Sequence, residues 1–213
     1  MKLFDYYRSS AAYRVRIGLN LKGLSPERHF THLRLGEQKG ENYLKINPQG
    51  LVPTLETDGT YLTQSLAILE YLDEIESDPP LLPATPLARA RVRSLAQLIA
   101  CDIHPLNNLR VLHYLKGPMG QSQATVDQWV AHWIEQGFAA LETRLAREPE
   151  TGRWCHGDSP GLADCVLVPQ LYNARRFNVA LDPYPTLLRL EAEAAAHPAF
   201  VAAHPAQQPD AEA

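Results

Sequence analysis

The sequence predicts an α/β N-terminal domain followed by an all-α C-terminal domain. Up to about residue 78, short apolar runs alternate with Gly and Pro, as in small α/β domains. From Leu87 onward, apolar residues recur at spacings of three and four, which is the period of amphipathic helices. Between the two patterns, residues 77–86 (SDPPLLPATP) contain four prolines, which can continue neither a helix nor a central strand.

In the N-terminal domain, the apolar segments LFDYY, ERHFTHL, LVPTLET and TYLTQ are predicted to form strands and brief helices. Residues 15–21 (VRIGLNL) alternate strictly between apolar and other residues, which by itself favours a strand. Ser9 and Ser10 before this run and Gly23 after it are typical of the start and the end of a helix. We therefore predict a helix here.

The predicted boundaries follow from these patterns. Residues 1–78 form the N-terminal domain, residues 79–86 the linker and residues 87–213 the all-α domain. The clearest helices of the second domain are ARARVRSLAQLIACDIHPL and VDQWVAHWIEQGFAALETRLA. Gly161 and Asp164 have the spacing of a helix capping box. The polar tail AAHPAQQPDAEA is predicted to be frayed.

Composition excludes several classes of function. The 213 residues are 45% hydrophobic, enough for a substantial core, and the formal net charge is −4. No cluster of Lys and Arg is long enough to follow a phosphate backbone, so no nucleic-acid partner is expected. We also expect neither a signal peptide nor a membrane span. Three cysteines without CxxC spacing indicate a reducing cytosol rather than a disulfide framework.

Two motifs of the N-terminal domain could bind a ligand. Val52-Pro53 lies in the apolar run LVPTL, where proline is unusual because it donates no backbone hydrogen bond. A cis peptide bond there would turn the N–H and C=O of Val52 toward an extended, peptide-like ligand, whereas the alternative is an ordinary trans proline in a loop. Ser65, after Gln64, is predicted to be a helix N-cap, and an uncovered helix N-terminus also favours a carboxylate.

A polar cluster, CDIHPLNNLR, is predicted on the first long helix of the second domain. Its acid, imidazole, amide and guanidinium groups belong to Asp102, His104, Asn108 and Arg110. On a helix, Cys101, His104 and Asn108 would share a face, and Pro105 would kink the helix and widen the space beside it. The alternative is a solvated polar face with one capping histidine. Asp-x-His offers too few ligands for a metal, so no metal site is expected.

Two adjacent arginines, Arg175 and Arg176, stand among apolar residues, so at least one of them is expected to point inward. The alternative is two surface arginines whose stems pack on apolar neighbours. Together with Arg8 and Arg110 they could converge on a substrate that has more than one carboxylate, because Arg binds carboxylates bidentately.

Taken together, these segments resemble the zeta class of glutathione transferases. The resemblance extends over residues 2–205 and is carried by RSSAAYRVRIGLNLKG, NPQGLVPTLE, DIHPLNN, GDxxxxAD and LVPQ. It implies a thioredoxin-like N-terminal domain, the glutathione transferase fold and glutathione as the cofactor. The class contains maleylacetoacetate isomerase. His104, Asn108, Arg110 and the ARRF of residues 174–177 resemble most closely the bacterial maleylpyruvate isomerases of gentisate breakdown.

The resemblance also implies which residues bind glutathione. Val52, before a cis-proline, is expected to pair with the cysteinyl backbone, and Gln64 with Ser65 is expected to hold the γ-glutamyl carboxylate. The other implied glutathione contacts are Gln38, His104 and Asn108 and, in the partner subunit of a homodimer, Asp102.

For the reaction itself, Ser9 or Ser10 stands where the family activates the glutathione sulfur. Substrate carboxylates are expected to be held by Arg8, Arg110 and Arg176. The implied activity is the glutathione-dependent cis–trans isomerisation of maleylpyruvate to fumarylpyruvate, or of maleylacetoacetate to fumarylacetoacetate, in the catabolism of aromatic compounds.

One position departs from the family pattern. Zeta-class turns usually read S-S-C, but the third position here is Ala11, so a protein thiol is excluded there. Two alternatives stay open: a general glutathione transferase that conjugates small electrophiles, and a non-catalytic thioredoxin-like interaction module. The arginines disfavour apolar substrates, and the Val52-Pro53 and Gln64-Ser65 motifs disfavour a module without a ligand.

Overall fold

A computed structural model of the chain describes residues 1–212, and Ala213, the last residue of the predicted tail, lies outside them. The described residues form two compact units. The first combines Met1–Leu81 with the residues from Ala195 onward, and the second comprises Leu82–Ala194. The division after residue 81 lies inside the predicted linker. The structure differs in placing the C-terminal residues in the first unit rather than in the all-α domain.

The first unit contains a mixed sheet of four strands. Its main elements are β1 (Lys2–Asp5), α1 (Ser10–Leu21), β2 (Glu27–Phe30), α2 (Glu41–Ile46), β3 (Thr54–Thr57), β4 (Thr60–Thr63) and α3 (Ser65–Ile75). The strand order is β2-β1-β3-β4, in which β1 is parallel to β2 and antiparallel to β3, and β3 is antiparallel to β4. The predicted α/β character of this part is confirmed.

The core of the first unit lies between the sheet and its helices. Leu3 of β1 and Leu55 of β3 are register partners, and both are fully buried. The other buried members of this cluster come from α1 and α3 and are Val15, Leu19, Ile68 and Leu72. The sheet therefore buries one face against both helices.

Helix α1 confirms the helical prediction for residues 15–21. Ser9 is its N-cap, and the Ser9 Oγ accepts a hydrogen bond from the N–H of Ala12 at 3.2 Å. Gly23 follows the helix with a φ of 66°, in the left-handed region that glycine adopts without a steric penalty. Local capping chemistry thus outweighs the alternating pattern.

Two arginines inside α1 are buried, and one of them, Arg16, belongs to the alternating run. Arg14 and Arg16 are each 2% exposed, nearly as buried as Val15 between them. Gly18 allows α1 to approach α3 closely, since a Cβ at this position would lie 2.2 Å from Cδ2 of Leu69. The helix is therefore enclosed on more than one face.

An ion-pair network around the buried Asp5 joins β1 to its neighbours. Asp5 accepts a hydrogen bond from Arg16 Nη1 at 2.9 Å and a second one from Arg28 Nη2 of β2. Arg16 also donates to the carbonyl oxygens of Tyr7 at 2.9 Å and Ala203 at 3.0 Å. One guanidinium group thereby fixes the strand, the turn after it and the C-terminal residues.

The second unit is all-α in its described elements, as predicted. It contains α4 (Pro86–Gln97), α5 (Leu109–Lys116), α6 (Gln123–Arg147), α7 (Leu162–Arg176) and most of α8 (Pro185–Ala196). The Asp164 half of the predicted capping box is confirmed, because the Gly161 N–H donates to Asp164 Oδ2 at 2.9 Å at the start of α7, while Gly161 has no side chain to cap the helix in return. Within residues 1–212, no helix combines the length and the apolar character needed to cross a bilayer.

The tail is not frayed over its described residues, so this prediction is wrong. Helix α9 (Pro198–Ala203) leads into residues 205–207, which form a 3₁₀ turn, and then into the buried Gln208. Gln208 Nε2 donates to the carbonyl oxygens of Ala202 and His204 at 2.9 Å each. The composition of the tail is typical of disorder, but its polar side chains are ordered by bonds to the backbone.

Replacing Asp5 with Asn should lower the free energy of unfolding by about 3 kcal/mol, because Arg16 then stays buried without an anionic partner. Urea unfolding measures this change. Glu27→Gln is the matched control, since Glu27 and Lys2 pair across the same two strands at 3.4 Å on the exposed surface. We expect the control to change the free energy by less than about 0.5 kcal/mol. Equal losses in both variants would contradict the importance of the buried pair.

Protonation of His204 should destabilise the first unit. Its Nδ1 accepts a hydrogen bond from the Ala206 N–H at 3.2 Å, and burial together with the charge of Arg16 lowers the pKa of His204. As pH falls, the unfolded chain binds this proton first, so the stability is present above about pH 6.5 and declines below it. His204→Asn keeps an acceptor at this position. Its free energy of unfolding should therefore fall less on acidification, and parallel pH profiles would contradict the assignment.

Candidate active site

The serines before and at the start of α1 form the first part of the candidate site. Ser9 Oγ is the N-cap acceptor, and Ser10, the first helical residue, is buried. The backbone N–H of Ser9 donates to the Tyr6 carbonyl at 3.0 Å, which closes the turn that carries Arg8. The N–H groups of the first helical turn have no intrahelical acceptor, so this end of a 12-residue helix favours an anion.

The Val52 loop forms the second part. The Val52-Pro53 bond is cis, as the sequence predicts. The carbonyl oxygen of Leu51 accepts hydrogen bonds from Tyr43 Oη at 2.7 Å and from Asn47 Nδ2 at 2.8 Å. Burial raises the pKa of Tyr43, so its phenol stays protonated and continues to donate. Two side chains therefore fix the backbone immediately before Val52.

Gln38 is placed against the same loop. Its Nε2 donates to the Leu33 carbonyl at 3.4 Å, while its Oε1 is buried without a hydrogen-bond partner among the described residues. Gly50 adopts a φ of 61°, and a Cβ there would lie 2.8 Å from the Gln38 carbonyl oxygen. Only glycine fits this close approach, which packs the Gln38 backbone against the loop before Val52.

The prediction that Ser65 is the N-cap of α3 is wrong. Gln64 is the N-cap, with a φ of 70° and a ψ of 114°, and Ser65 is the first helical residue. A non-glycine residue in the left-handed region is strained, and such residues cluster at ligand sites. Gln64 makes no side-chain cap and instead donates from Nε2 to Gln49 Oε1 at 3.0 Å. The first-turn N–H groups of α3 are therefore not capped by this side chain.

Arg14 is a residue that sequence reasoning missed. Its Nη1 donates to the Ser65 Oγ at 3.2 Å, and this bond joins α1 to the start of α3. The structure thus links predicted positions in two pairs: Ser65 to the helix that Ser9 caps, and Gln64 to the loop before Val52. A sequence signal existed, since arginine at an interior position of an otherwise apolar helix is unusual.

The cluster CDIHPLNNLR does not lie on one regular helix, so the prediction of a shared face is wrong. Residues 98–103 are π-helical and residues 104–107 form a 3₁₀ turn, which changes the angular spacing of the side chains. Asn108 caps α5, and its Oδ1 accepts a hydrogen bond from the Arg110 N–H at 3.1 Å. Asp102 is exposed and His104 is partly buried. The regular α-helix already ends at Gln97, and Pro105 lies near the start of the 3₁₀ turn, so the predicted proline kink is wrong.

Neither Arg175 nor Arg176 points inward, so this prediction is wrong as well. Both are exposed at the C-terminal end of α7, where cations favour the helix dipole. Arg175 forms a bidentate pair with Glu191, with Nε–Oε1 and Nη2–Oε2 distances of 2.9 and 2.5 Å. The Cζ of Arg176 lies 5.9 Å from the ring centre of Phe177. Arg110 is also exposed, near the start of α5.

The start of α1 contains no protein thiol, because residue 11 is alanine. Cys155 and Cys165 are buried in the second unit, and burial holds the pKa of Cys155 well above its usual range. Among the described residues, no group of three or more His, Cys, Asp and Glu side chains could hold a metal ion. The start of α1 offers hydroxyl and N–H donors for an anion and contributes no thiol of its own.

Family models match both parts of the chain. The model described as glutathione S-transferase, N-terminal domain, matches residues 8–75. The model described as glutathione S-transferase, C-terminal domain, matches residues 123–200. Together these matches span more than half of the chain.

Relatives match over the whole length. A maleylacetoacetate isomerase from Pseudomonas aeruginosa is 52% identical over 213 residues, which cover 99% of this chain and 98% of the relative. A maleylpyruvate isomerase from Ralstonia sp is 47% identical and covers 99% of both chains. A holo structure of a zeta-class maleylpyruvate isomerase has a TM-score of 0.97 at 46% identity, with full coverage of both chains. A maleylacetoacetate isomerase from Methylobacterium extorquens, with bound malonate and GSH, has a TM-score of 0.97 at 45% identity, also with full coverage.

Proposed function

The chain belongs to the glutathione S-transferase family, and from this premise we propose that it is a glutathione-dependent cis–trans isomerase of maleyl keto acids. The observation that carries the proposal is the match along the full chain to maleylacetoacetate and maleylpyruvate isomerases. The zeta-class resemblance and the fold expected from it are confirmed. The proposed reaction converts maleylpyruvate to fumarylpyruvate, or maleylacetoacetate to fumarylacetoacetate.

The residues of the first unit fit glutathione, which combines carboxylates, peptide groups and a thiol. We assign the backbone of Val52 to bind the cysteinyl backbone of glutathione. The carbonyl group just before it, that of Leu51, is fixed by two hydrogen bonds. The γ-glutamyl carboxylate is assigned to Gln64 and Ser65 at the N-terminus of α3, because helix N-terminal N–H groups favour anions. Gln38 offers a buried amide oxygen that can accept a hydrogen bond from the ligand.

Three residues of the second unit complete the proposed glutathione contacts. The imidazole of His104 is assigned as a glutathione contact. Asn108 is assigned to donate from Nδ2 to glutathione, since its Oδ1 already accepts the Arg110 N–H in the cap of α5. Asp102 is assigned to the glutathione of the partner subunit in a homodimer, and its exposure on the single chain is compatible with that role.

When bound, glutathione supplies the thiol whose reversible addition to the activated double bond permits rotation. Ser9 can donate its hydroxyl proton to the sulfur while its Oγ accepts from Ala12, and Ser10 and the first-turn N–H groups supply further donors. Hydrogen bonds to the charged form lower the pKa of a thiol, so these donors favour the thiolate. Ala11 contributes no competing protein thiol.

Substrate carboxylates are assigned to Arg8 of the first unit and to Arg110 and Arg176 of the second. Each guanidinium can bind a carboxylate through two parallel hydrogen bonds, so a diacid matches more than one of them. Fixed cations also stabilise negative charge that develops on the substrate during the reaction. Arg175 is not assigned, because Glu191 already occupies its donor face.

We further propose that the protein acts as a homodimer in the cytoplasm, in the breakdown of aromatic amino acids or gentisate. The Asp102 assignment requires a second copy of the chain. Three free cysteines, of which Cys101 is exposed, support a reducing compartment.

Maleylpyruvate and maleylacetoacetate should both be tested as substrates with and without glutathione, with fumarylpyruvate or fumarylacetoacetate hydrolase reporting the product. We expect turnover of at least one diacid that depends on catalytic glutathione, because the chain places no thiol of its own at α1. Turnover without glutathione, or none on either diacid, would contradict the proposal. A retained glutathione adduct would instead favour a conjugating transferase.

Arg176→Ala should raise the KM for the diacid about tenfold or more, because a charge-assisted hydrogen bond is lost. The KM for glutathione should change by less than about twofold, a difference worth under about 0.5 kcal/mol. Arg175→Ala is the matched control on the same helix end, since its donors face Glu191. Steady-state kinetics with each reactant varied in turn measures both effects. Equal losses for diacid and glutathione would remove Arg176 from the substrate site.

A further inference from the structure

The turn that leads into the serines is held from two sides. It comprises residues 6–8 and is called the 6–8 turn below. On one side, Arg16 donates to the carbonyl oxygens of Tyr6 at 3.4 Å and Tyr7 at 2.9 Å. Because each carbonyl belongs to a peptide plane, these bonds restrict the planes that join Tyr6 to Tyr7 and Tyr7 to Arg8. Arg16 is almost fully buried, so water does not compete for these carbonyl groups.

On the other side, Asp210 holds the N–H of the same turn. Its Oδ2 accepts a hydrogen bond from the Tyr7 N–H at 2.9 Å, across 203 positions of sequence. The other oxygen, Oδ1, is buried without a hydrogen-bond partner among the described residues. Ala211, the next residue, packs against the aromatic cluster that contains Tyr7 and Val52. The 208–212 segment therefore lies against Tyr7 of the 6–8 turn and against the cluster that contains Val52.

We propose that Asp210 is a positioning residue for the glutathione sulfur, acting through the Tyr7 N–H and the 6–8 turn on Ser9 and Ser10. This inference rests on the proposed function. The Tyr7 N–H and the Tyr6 carbonyl belong to one peptide group, which Asp210 holds at nitrogen, and that carbonyl also accepts the Ser9 N–H at 3.0 Å. A rotation of this peptide group would move the Ser9 backbone, and the direction of the serine donors with it.

The same segment has anchors that do not touch the 6–8 turn. Gln208 accepts a hydrogen bond from Arg28 Nη2 at 3.2 Å. Glu212 pairs with His32 and with Arg34, each at 2.6 Å. Removing the Asp210 carboxylate should therefore release the turn while the segment stays attached. Glu212 supplies a matched control, because its removal loosens the segment and leaves the Asp210 bond in place.

The first readout needs no ligand. In Asp210→Ala, hydrogen exchange at the Tyr7 amide should accelerate about fivefold to tenfold, because the bond to this N–H is lost. Asp210→Asn keeps an acceptor oxygen and should stay within about twofold of the wild type. Glu212→Ala should leave this amide unchanged. Unchanged exchange in Asp210→Ala would overturn the proposal at its first step.

The second readout is the titration of the bound thiol, followed by the ultraviolet absorbance of the thiolate at saturating glutathione. In Asp210→Ala the thiol should titrate about one pH unit higher, which means about tenfold less thiolate at a pH below the wild-type midpoint. Asp210→Asn and Glu212→Ala should titrate like the wild type. An unchanged titration in Asp210→Ala would overturn the proposal, and so would an equal shift in Glu212→Ala, since the residue would then act only by anchoring the segment.

Thermal unfolding with each variant checks that the fold persists. If Asp210→Ala does not fold, Asp210→Glu replaces it, because the acceptor is kept but displaced by one methylene group. The Glu variant should then shift the titration upward and the Asn variant should not, whereas equal titrations would overturn the proposal.

The titration uses glutathione without a maleyl substrate. A protein that binds glutathione and shows the shift but isomerises neither diacid would therefore refute the proposed function alone, and one that binds no glutathione would refute both.

Discussion

The arrangement of the first unit depends on the buried guanidinium of Arg16. It meets the carboxylate of Asp5, the carbonyl of Tyr7 and the carbonyl of Ala203, so a strand, a turn and a C-terminal helix converge on one planar group. Burial lowers the pKa of Arg16 and Asp5 opposes this effect, while Arg28 adds to it. A buried ion pair adds little net stability compared with an apolar core. Its contribution here is geometric, because a rigid fork of donors can satisfy these acceptors in one arrangement only.

The same logic recurs at each candidate ligand position. The backbone before Val52 is fixed by Tyr43 and Asn47, and the start of α3 is tied to α1 by Arg14. Backbone N–H and C=O groups have fixed directions once their peptide planes are fixed. A site that binds its ligand with backbone groups and hydroxyls therefore needs buried polar side chains behind it.

Features that depend on local chemistry could be predicted from the sequence. The cap at Ser9, the stop at Gly23 and the Asp164 half of the box at Gly161 each need only neighbouring residues, and each was found as predicted. Features that depend on residues far away in the sequence could not be predicted from it. The strained backbone of Gln64 has no signature in its own residue type, and apolar spacing cannot distinguish the π-helical stretch of residues 98–103 from an α-helix. The tail reads as disordered because composition does not show which carbonyl groups its side chains reach.

In VRIGLNL the alternating pattern indicates a strand, whereas the flanking caps indicate a helix. This conflict contained more information than either signal alone. At about 100° per residue, positions 14 and 16 lie roughly 200° apart on a helix, so their side chains point to opposite sides. A helix that begins and ends as the caps require must then bury an arginine on each side, or expose one or both of them. The structure shows the first case: Arg14 reaches Ser65 of α3, and Arg16 reaches Asp5 and Ala203. A helix held by charged groups on two opposite sides cannot rotate about its axis without breaking one of them. Ser9 and Ser10 at its start are therefore held in a fixed orientation, as the proposed thiolate site requires.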